Sequence, residues 1–351
     1  MNSDPADTHW RLAMDPPDDA RRESWWRRLP GEPAMMADGM FDPARYRVNV
    51  PLIDAFNTAL LLGQPLLLTG EPGCGKTEAA HYLAWRLGLT RPGGGGRTEY
   101  ARRFNTKSTT QSQDLFYSFD VVGRFHAAQS KGDPNPENFI SLQPLGRAIL
   151  DACATDAAKA LRTKLDGKDY GLRRSVVLID EIDKAPRDTP NDLLVEFERM
   201  EFTLRDLNLT FRAQPDLQPI IILTSNRERG LPDAFLRRCV FHAMEFPEDG
   251  QLAEIVKARL GERHPGVEDS LEPLLKVFNG LRDPHENLRR PPGTAELLGF
   301  VAAVADAGLR TAQEIRASNT WHAAAQMILL KDNDDQKQVR QGNRIGALLA
   351  R

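Results

Sequence analysis

Gly70-Glu71-Pro72-Gly73-Cys74-Gly75-Lys76-Thr77 carries glycine, lysine and threonine at the spacing G-x-x-x-x-G-K-[ST], a match that chance supplies only about once in a hundred chains of this length. Glycines let such a loop adopt backbone conformations that a Cβ forbids, so that successive N–H groups approach a phosphate closely. Lysine at this position reaches the terminal phosphates as a point charge, and the hydroxyl after it ligates a magnesium ion. The set expected to hold a nucleotide is therefore Gly70, Glu71, Pro72, Gly73, Cys74, Gly75, Lys76, Thr77 and Glu78, with Thr77 also a metal ligand. Cys74 occupies a variable position and is given no chemistry.

Two further groups fall at the ends of apolar runs. Ser175 to Asp183 reads SVVLIDEID, which puts Asp180 and Glu181 directly after a run too apolar for an edge strand. In an open parallel sheet the carboxyl ends of the strands form the ligand crevice, so both carboxylates would face what the loop binds. Asp180 would hold the metal, through a water, and Glu181 would act as general base on the attacking water. Ile220 to Asn226 reads IIILTSN and repeats the pattern, with Asn226 placed to hydrogen-bond the attacking water and the γ-phosphate. Phe235-Leu236-Arg237-Arg238-Cys239 then presents two cations, read as functional because of their place after Asn226.

These residues need a scaffold of alternating strands and helices. Leu52, Ile53, Phe56, Ala59 and Leu60 recur at helical spacing until Gly63 stops them, and Leu66 to Leu68 forms a short apolar strand before the loop. Ala79, Ala80, Leu83 and Leu87 continue it as a helix, completing a strand-loop-helix unit. A second strand is expected over Tyr100 to Phe104, a helix over Leu145 to Ala160, buried strands over Val176 to Ile179 and Ile220 to Leu223, and a helix over Leu193 to Met200. Val121 to Ile140 is irregular, polar and too long for a simple connection, so it reads as a functional insertion. Glu201 to Arg212 alternates apolar and polar residues as an exposed hairpin does. After Pro247 every periodic segment is helical. The expected division is a flexible arm over residues 1–40, whose Trp25 and Trp26 point to a short docking segment, an α/β domain over 41–246 and a smaller all-helical domain over 247–351.

Composition narrows the class. Of 351 residues, 41% are hydrophobic and 27% charged, enough to bury a core. The longest apolar stretch, Ala59 to Thr69, is interrupted by Gly63, Gln64 and Pro65 and falls short of the ~20 residues a membrane span needs. The first residues have neither a positively charged nor an apolar secretory region, so a cytoplasmic location is expected. Cys74, Cys153 and Cys239, odd in number and far apart, argue against a disulfide framework or a zinc site. A net charge of −3 lacks the basic footprint of a nucleic-acid binder.

Taken in order, GEPGCGKT, VVLIDEIDK, ILTSN and LPDAFLRRC resemble an AAA+ ATPase of the MoxR-like branch, over residues 41–300. The resemblance implies an α/β parallel sheet with flanking helices followed by a helical lid, and an enzyme that hydrolyses ATP with Mg²⁺. It implies a ring, usually a hexamer, with ATP at each subunit junction, Asn226 as the sensor of the γ-phosphate, and an arginine finger given to the next subunit, Arg238 first and Arg237 second. The segment Val121 to Ile140 matches in position the family's insertion in its second helix, and Glu201 to Arg212 its hairpin, both lining an axial pore. Where the family often has an arginine just inside a lid helix, this chain has Gly293, which leaves Arg290 or Arg289 to reach the phosphates.

The resemblance favours a chaperone-like motor that remodels or activates a partner protein, in relatives often one with a von Willebrand factor A domain. The alternative is a nucleic-acid-linked motor or sensor, with Arg102, Arg103, Lys107, Arg124 and Lys131 as contacts, against which the acidic balance weighs. A small-molecule P-loop kinase would not need Glu181, Asn226 and a trans arginine together.

Overall fold

The computed structural model describes residues 42–92, 98–130, 132–226, 229–317 and 319–350, which divide into two compact units. The arm expected over residues 1–40, with Trp25 and Trp26, lies outside the described residues.

The first unit, Val48–Phe246, is α/β. Its centre is a five-stranded sheet of β1 (Leu66–Thr69), β2 (Arg102–Asn105), β3 (Val176–Asp180), β4 (Ile220–Ser225) and β5 (Val240–Ala243), in the order β5-β1-β4-β3-β2 with every pairing parallel. Parallel neighbours need crossovers, and the crossovers put helices on the faces of the sheet. That is why β1 and β3 are buried at every residue. The edge strands β2 and β5 alternate between half-buried and exposed. β5 was not foreseen: Val240, Phe241, His242 and Ala243 are too few and too mixed in polarity to read as a strand, and only pairing with β1 makes them one.

Helix α1 (Val50–Leu62) starts where Asn49 accepts the Leu52 N–H and stops at Gly63, left-handed at φ 63°. After α2 (Lys76–Arg86), α3 (Val121–Gln129) lies between two antiparallel strands, Tyr117–Phe119 and Ile140–Leu142. The expected irregular insertion is thus a hairpin carrying a helix. It has no periodic signature because α3 buries no residue, and Val121, Val122 and Phe125 are all exposed. The single helix expected over Leu145 to Ala160 is two, α4 (Pro144–Asp151) and α5 (Asp156–Asp166), because Thr155 caps a new start by accepting the Ala158 N–H. Helix α6 (Thr189–Arg199) leads into the hairpin of Glu201–Leu204 with Leu209–Arg212. There Phe202 and Phe211 pair across the strands, and Phe202 stacks on Phe116. The short helix α7 (Asp233–Leu236) precedes β5.

The second unit holds α8 (Asp249–Leu260), α9 (Glu268–Arg282), α10 (Thr294–Asp306), α11 (Ala312–Ala317), α12 (Asn319–Leu329), α13 (Asn333–Gln341) and α14 (Arg344–Ala350) around Val256, Leu274, Phe278, Phe300 and Leu329. Residues 42–47 go with it, not with the α/β unit where the sequence reading began at 41. The Arg45 guanidinium reaches the Ala258 carbonyl and Glu262, and Arg47 pairs with Glu254, so side-chain chemistry decides where this segment belongs. No described helix is long and apolar enough to cross a membrane.

Candidate functional site

The site is built at the carboxyl ends of β1, β3 and β4. Gly70 leaves β1 at φ 152°, and a Cβ there would stand 2.5 Å from the Met244 carbonyl oxygen. Met244 follows β5 and donates its N–H to Thr69, so the loop starts in a gap only glycine fits. Gly73 and Gly75 are also left-handed, at φ 85° and 91°. Gly75 caps α2 without a side chain to satisfy its first turn, which suits the helix N-terminus to an anion. The Lys76 ammonium, 7% exposed, donates to the carbonyls of Gly70 and Glu71 at 2.8 and 2.9 Å. A buried cation, left-handed glycines and an open helix start fit a phosphate chain. Cys74 is buried in the same loop, and burial pushes its thiol pKa up against the pull of Lys76.

Thr77 places its hydroxyl 3.3 Å from both carboxylate oxygens of Asp180. This oxygen-only pair fits a hard divalent cation, and Mg²⁺ is commonly held by one or two carboxylates together with substrate phosphates. Among the described residues no cluster of three or more His, Cys, Asp or Glu could hold a metal. The Asp180 carboxylate is buried and fully engaged otherwise: the Thr224 hydroxyl donates to Oδ1, and the Arg103 guanidinium lies 2.6 Å from Oδ2.

Glu181 takes a left-handed backbone, φ 57°, which is uncommon for a residue with a Cβ and is held by its N–H donating to the Thr224 hydroxyl at 2.9 Å. Its carboxylate lies between two donors, the Asn226 amide at 3.2 Å and the Lys184 ammonium at 2.5 Å. The structure therefore brings together Lys76, Thr77, Asp180, Glu181 and Asn226 from three strand ends. Sequence reading misses Thr224 as a member of this cluster, takes Arg103 only as a nucleic-acid contact, and gives Lys184 no role in its motif. Thr224 could have been found as a second polar residue in a buried strand, whereas Arg103 joins only through the pairing of β2 with β3.

The arginine pair lies elsewhere. Arg237 and Arg238 are exposed between α7 and β5, and Arg238 is 3.4 Å from Glu198 of α6. The Val240 N–H donates to Pro65, so the pair sits at the amino end of the sheet, one full strand from the loop that follows Thr69. That is about 10 Å of β1 alone. Arg289 and Arg290 belong to the helical unit, where both main-chain N–H groups donate to the buried Asp335 at 3.0 Å. Arg102, considered as a nucleic-acid contact, is instead paired with Asp151 at 2.6 Å, and Arg103 with Asp180. Lys131 lies outside the described residues.

Comparison with known proteins gives one family match: residues 65–239 match the AAA domain of the dynein-related subfamily. No curated protein matches the chain.

Proposed function

We propose that this chain, whose residues 65–239 match an AAA domain and whose parallel sheet is followed by a helical region, is a ring-forming ATPase of the MoxR-like branch. In this reading it couples Mg-ATP hydrolysis to remodelling of a partner protein. The observation that carries the hydrolytic part is the convergence of Lys76, Thr77, Asp180, Glu181 and Asn226 at one end of the sheet. Gly70 to Thr77 would cradle the phosphates, with Glu78 in the first turn of α2, and Lys76 would exchange its loop carbonyls for the β- and γ-phosphates. Thr77 and Asp180 would hold Mg²⁺, which supplies charge neutralisation at the phosphates. Glu181, freed of one of its two donors, takes a proton from water, and Asn226, already beside that carboxylate, orients the same water. The single test is Lys76→Ala: loss of ATP binding is expected, and unchanged binding overturns the assignment.

Arg238, with Arg237 as second choice, serves the site of a neighbouring copy. The support is positional, since both stand at the end of the sheet remote from their own loop. Arg290 would reach the phosphates from the helical unit. The exposed Val121, Val122 and Phe125 are the surface offered to a polypeptide, together with the outer face of the hairpin Glu201–Arg212, whose Phe202, Leu204 and Phe211 are not exposed as expected but buried in the core; a von Willebrand factor A domain protein is the partner to test first. The domain division of this reading is an arm over 1–40, an ATPase domain over 48–246 and a lid over 247–351 joined by residues 42–47, in a cytoplasmic protein. The ion pairs of Arg102 and Arg103 leave the nucleic-acid alternative with less free positive charge than the sequence alone allowed.

A further inference from the structure

Asp180 has more cation than its expected duty requires. Its Oδ2 lies 2.6 Å from the Arg103 guanidinium, its Oδ1 accepts from Thr224, and the Thr77 hydroxyl stands 3.3 Å from both oxygens. The carboxylate is buried, 6% exposed, whereas the Arg103 side chain is 48% exposed, so the aspartate is fixed and the arginine has room to leave. Arg103 sits on the edge strand β2, beyond which no strand pairs among the described residues. An arginine cannot release its charge by deprotonation. A divalent cation and a guanidinium on one buried carboxylate repel each other, so binding of one weakens the hold of the other.

We propose that Arg103 is a placeholder cation: it neutralises Asp180 while the metal seat is empty and is displaced when Mg²⁺ arrives with nucleotide. This deepens the proposed function and rests on its assignment of Asp180 as a metal ligand. Two effects follow from the same pair. Without metal, Arg103 screens Asp180 from the incoming phosphates and so preserves nucleotide affinity. With metal, breaking the ion pair reduces the gain in affinity that Mg²⁺ brings. Arg103 is a positioning residue in this account, because it acts through Asp180.

The test is equilibrium binding of a fluorescent ADP to the full chain, in excess EDTA and in excess Mg²⁺, with the ratio of the two affinities as the readout. Arg103→Met should bind more weakly in EDTA, since Asp180 is then bare, and its Mg²⁺-to-EDTA ratio should exceed that of the parent by about fivefold or more, the scale of a partly exposed ion pair with one buried member. Arg103→Lys keeps the charge and should stay within about twofold of the parent. A ratio unchanged in Arg103→Met overturns the proposal, and so does an equal rise in Arg103→Lys, which would make geometry rather than charge responsible. Asp180→Asn separates this from failure of the underlying reading: if the ratio is the same in Asp180→Asn as in the parent, Asp180 is not a metal ligand, whatever Arg103 does. Should Arg103→Met misfold by circular dichroism, Arg103→Gln carries the same expectation.

Discussion

The side-chain amide of Asn226 donates to the Glu181 carboxylate across 3.2 Å, so the ends of β4 and β3 are joined by the two residues that would share one water molecule. Lys184 holds the other oxygen of Glu181, and Thr224 holds its main chain. Replacing the acid by its amide keeps the shape and removes the proposed base. Glu181→Gln should bind ATP and Mg²⁺ as the parent does and lose about 10²- to 10⁴-fold in turnover. Steady-state phosphate release beside equilibrium nucleotide binding decides it; full turnover would mean another group activates the water.

Gly70 tests the loop's entrance. Gly70→Ala adds a Cβ 2.5 Å from the Met244 carbonyl at φ 152°, and should cost roughly 1–3 kcal/mol of stability as well as nucleotide affinity. Gly63→Ala, left-handed but with nothing near its Cβ, is the control and should cost about 1 kcal/mol with affinity unchanged. Denaturant melts and nucleotide titration of both variants measure the difference.

His81, on α2 near Asp180 and Arg103, has its pKa lowered chiefly by burial, and His242 shifts the same way for the same reason. The unfolded chain then binds more protons than the folded one once the pH falls below about 6.5, so stability is present above that pH and lost as the pH drops through the depressed folded values. Thermal melting should therefore fall between pH 7.5 and 5.5, and His81→Gln should flatten part of that slope. An identical slope in the variant would place the proton uptake elsewhere.

The trans role of Arg238 is tested by mixing. Arg238→Ala should bind ATP normally but lose roughly 10³- to 10⁵-fold in hydrolysis. Combined with Lys76→Ala subunits, which keep the arginine but lack the pocket, it should recover part of the activity. If mixed assemblies form and remain inactive while Arg237→Ala with Lys76→Ala recovers, Arg237 is the finger; recovery by neither pair removes the support for action between copies.

What the sequence disclosed follows from how local each signal is. The loop from Gly70 to Thr77 is legible because its glycines, lysine and threonine do their work within a few bonds of each other. Asp180, Glu181 and Asn226 are legible because carboxylates and an amide after wholly apolar runs have no structural excuse. The Glu201–Arg212 hairpin shows in its alternation. By contrast α3 stayed hidden, since a helix that buries nothing has no periodic stripe, and the break between α4 and α5 depends on one threonine cap. β5 and the Arg103–Asp180 pair exist only through strand pairing, which no window of sequence displays.

The sheet's two ends are chemically unlike: carboxylates and the ammonium of Lys76 at one, two exposed guanidinium groups at the other. Copies that join these ends head to tail use a different patch on each partner, and such a contact is heterologous. Repeating it leaves one of two outcomes, a closed cycle or an open filament with an unserved site at one tip and an unused arginine pair at the other. If the arginine pair serves a neighbouring copy as proposed, active sites and subunits are equal in number in a closed cycle, whereas an open chain has one active site fewer. Turnover per subunit would thus report closure directly, rising to its limit only when the last gap is filled.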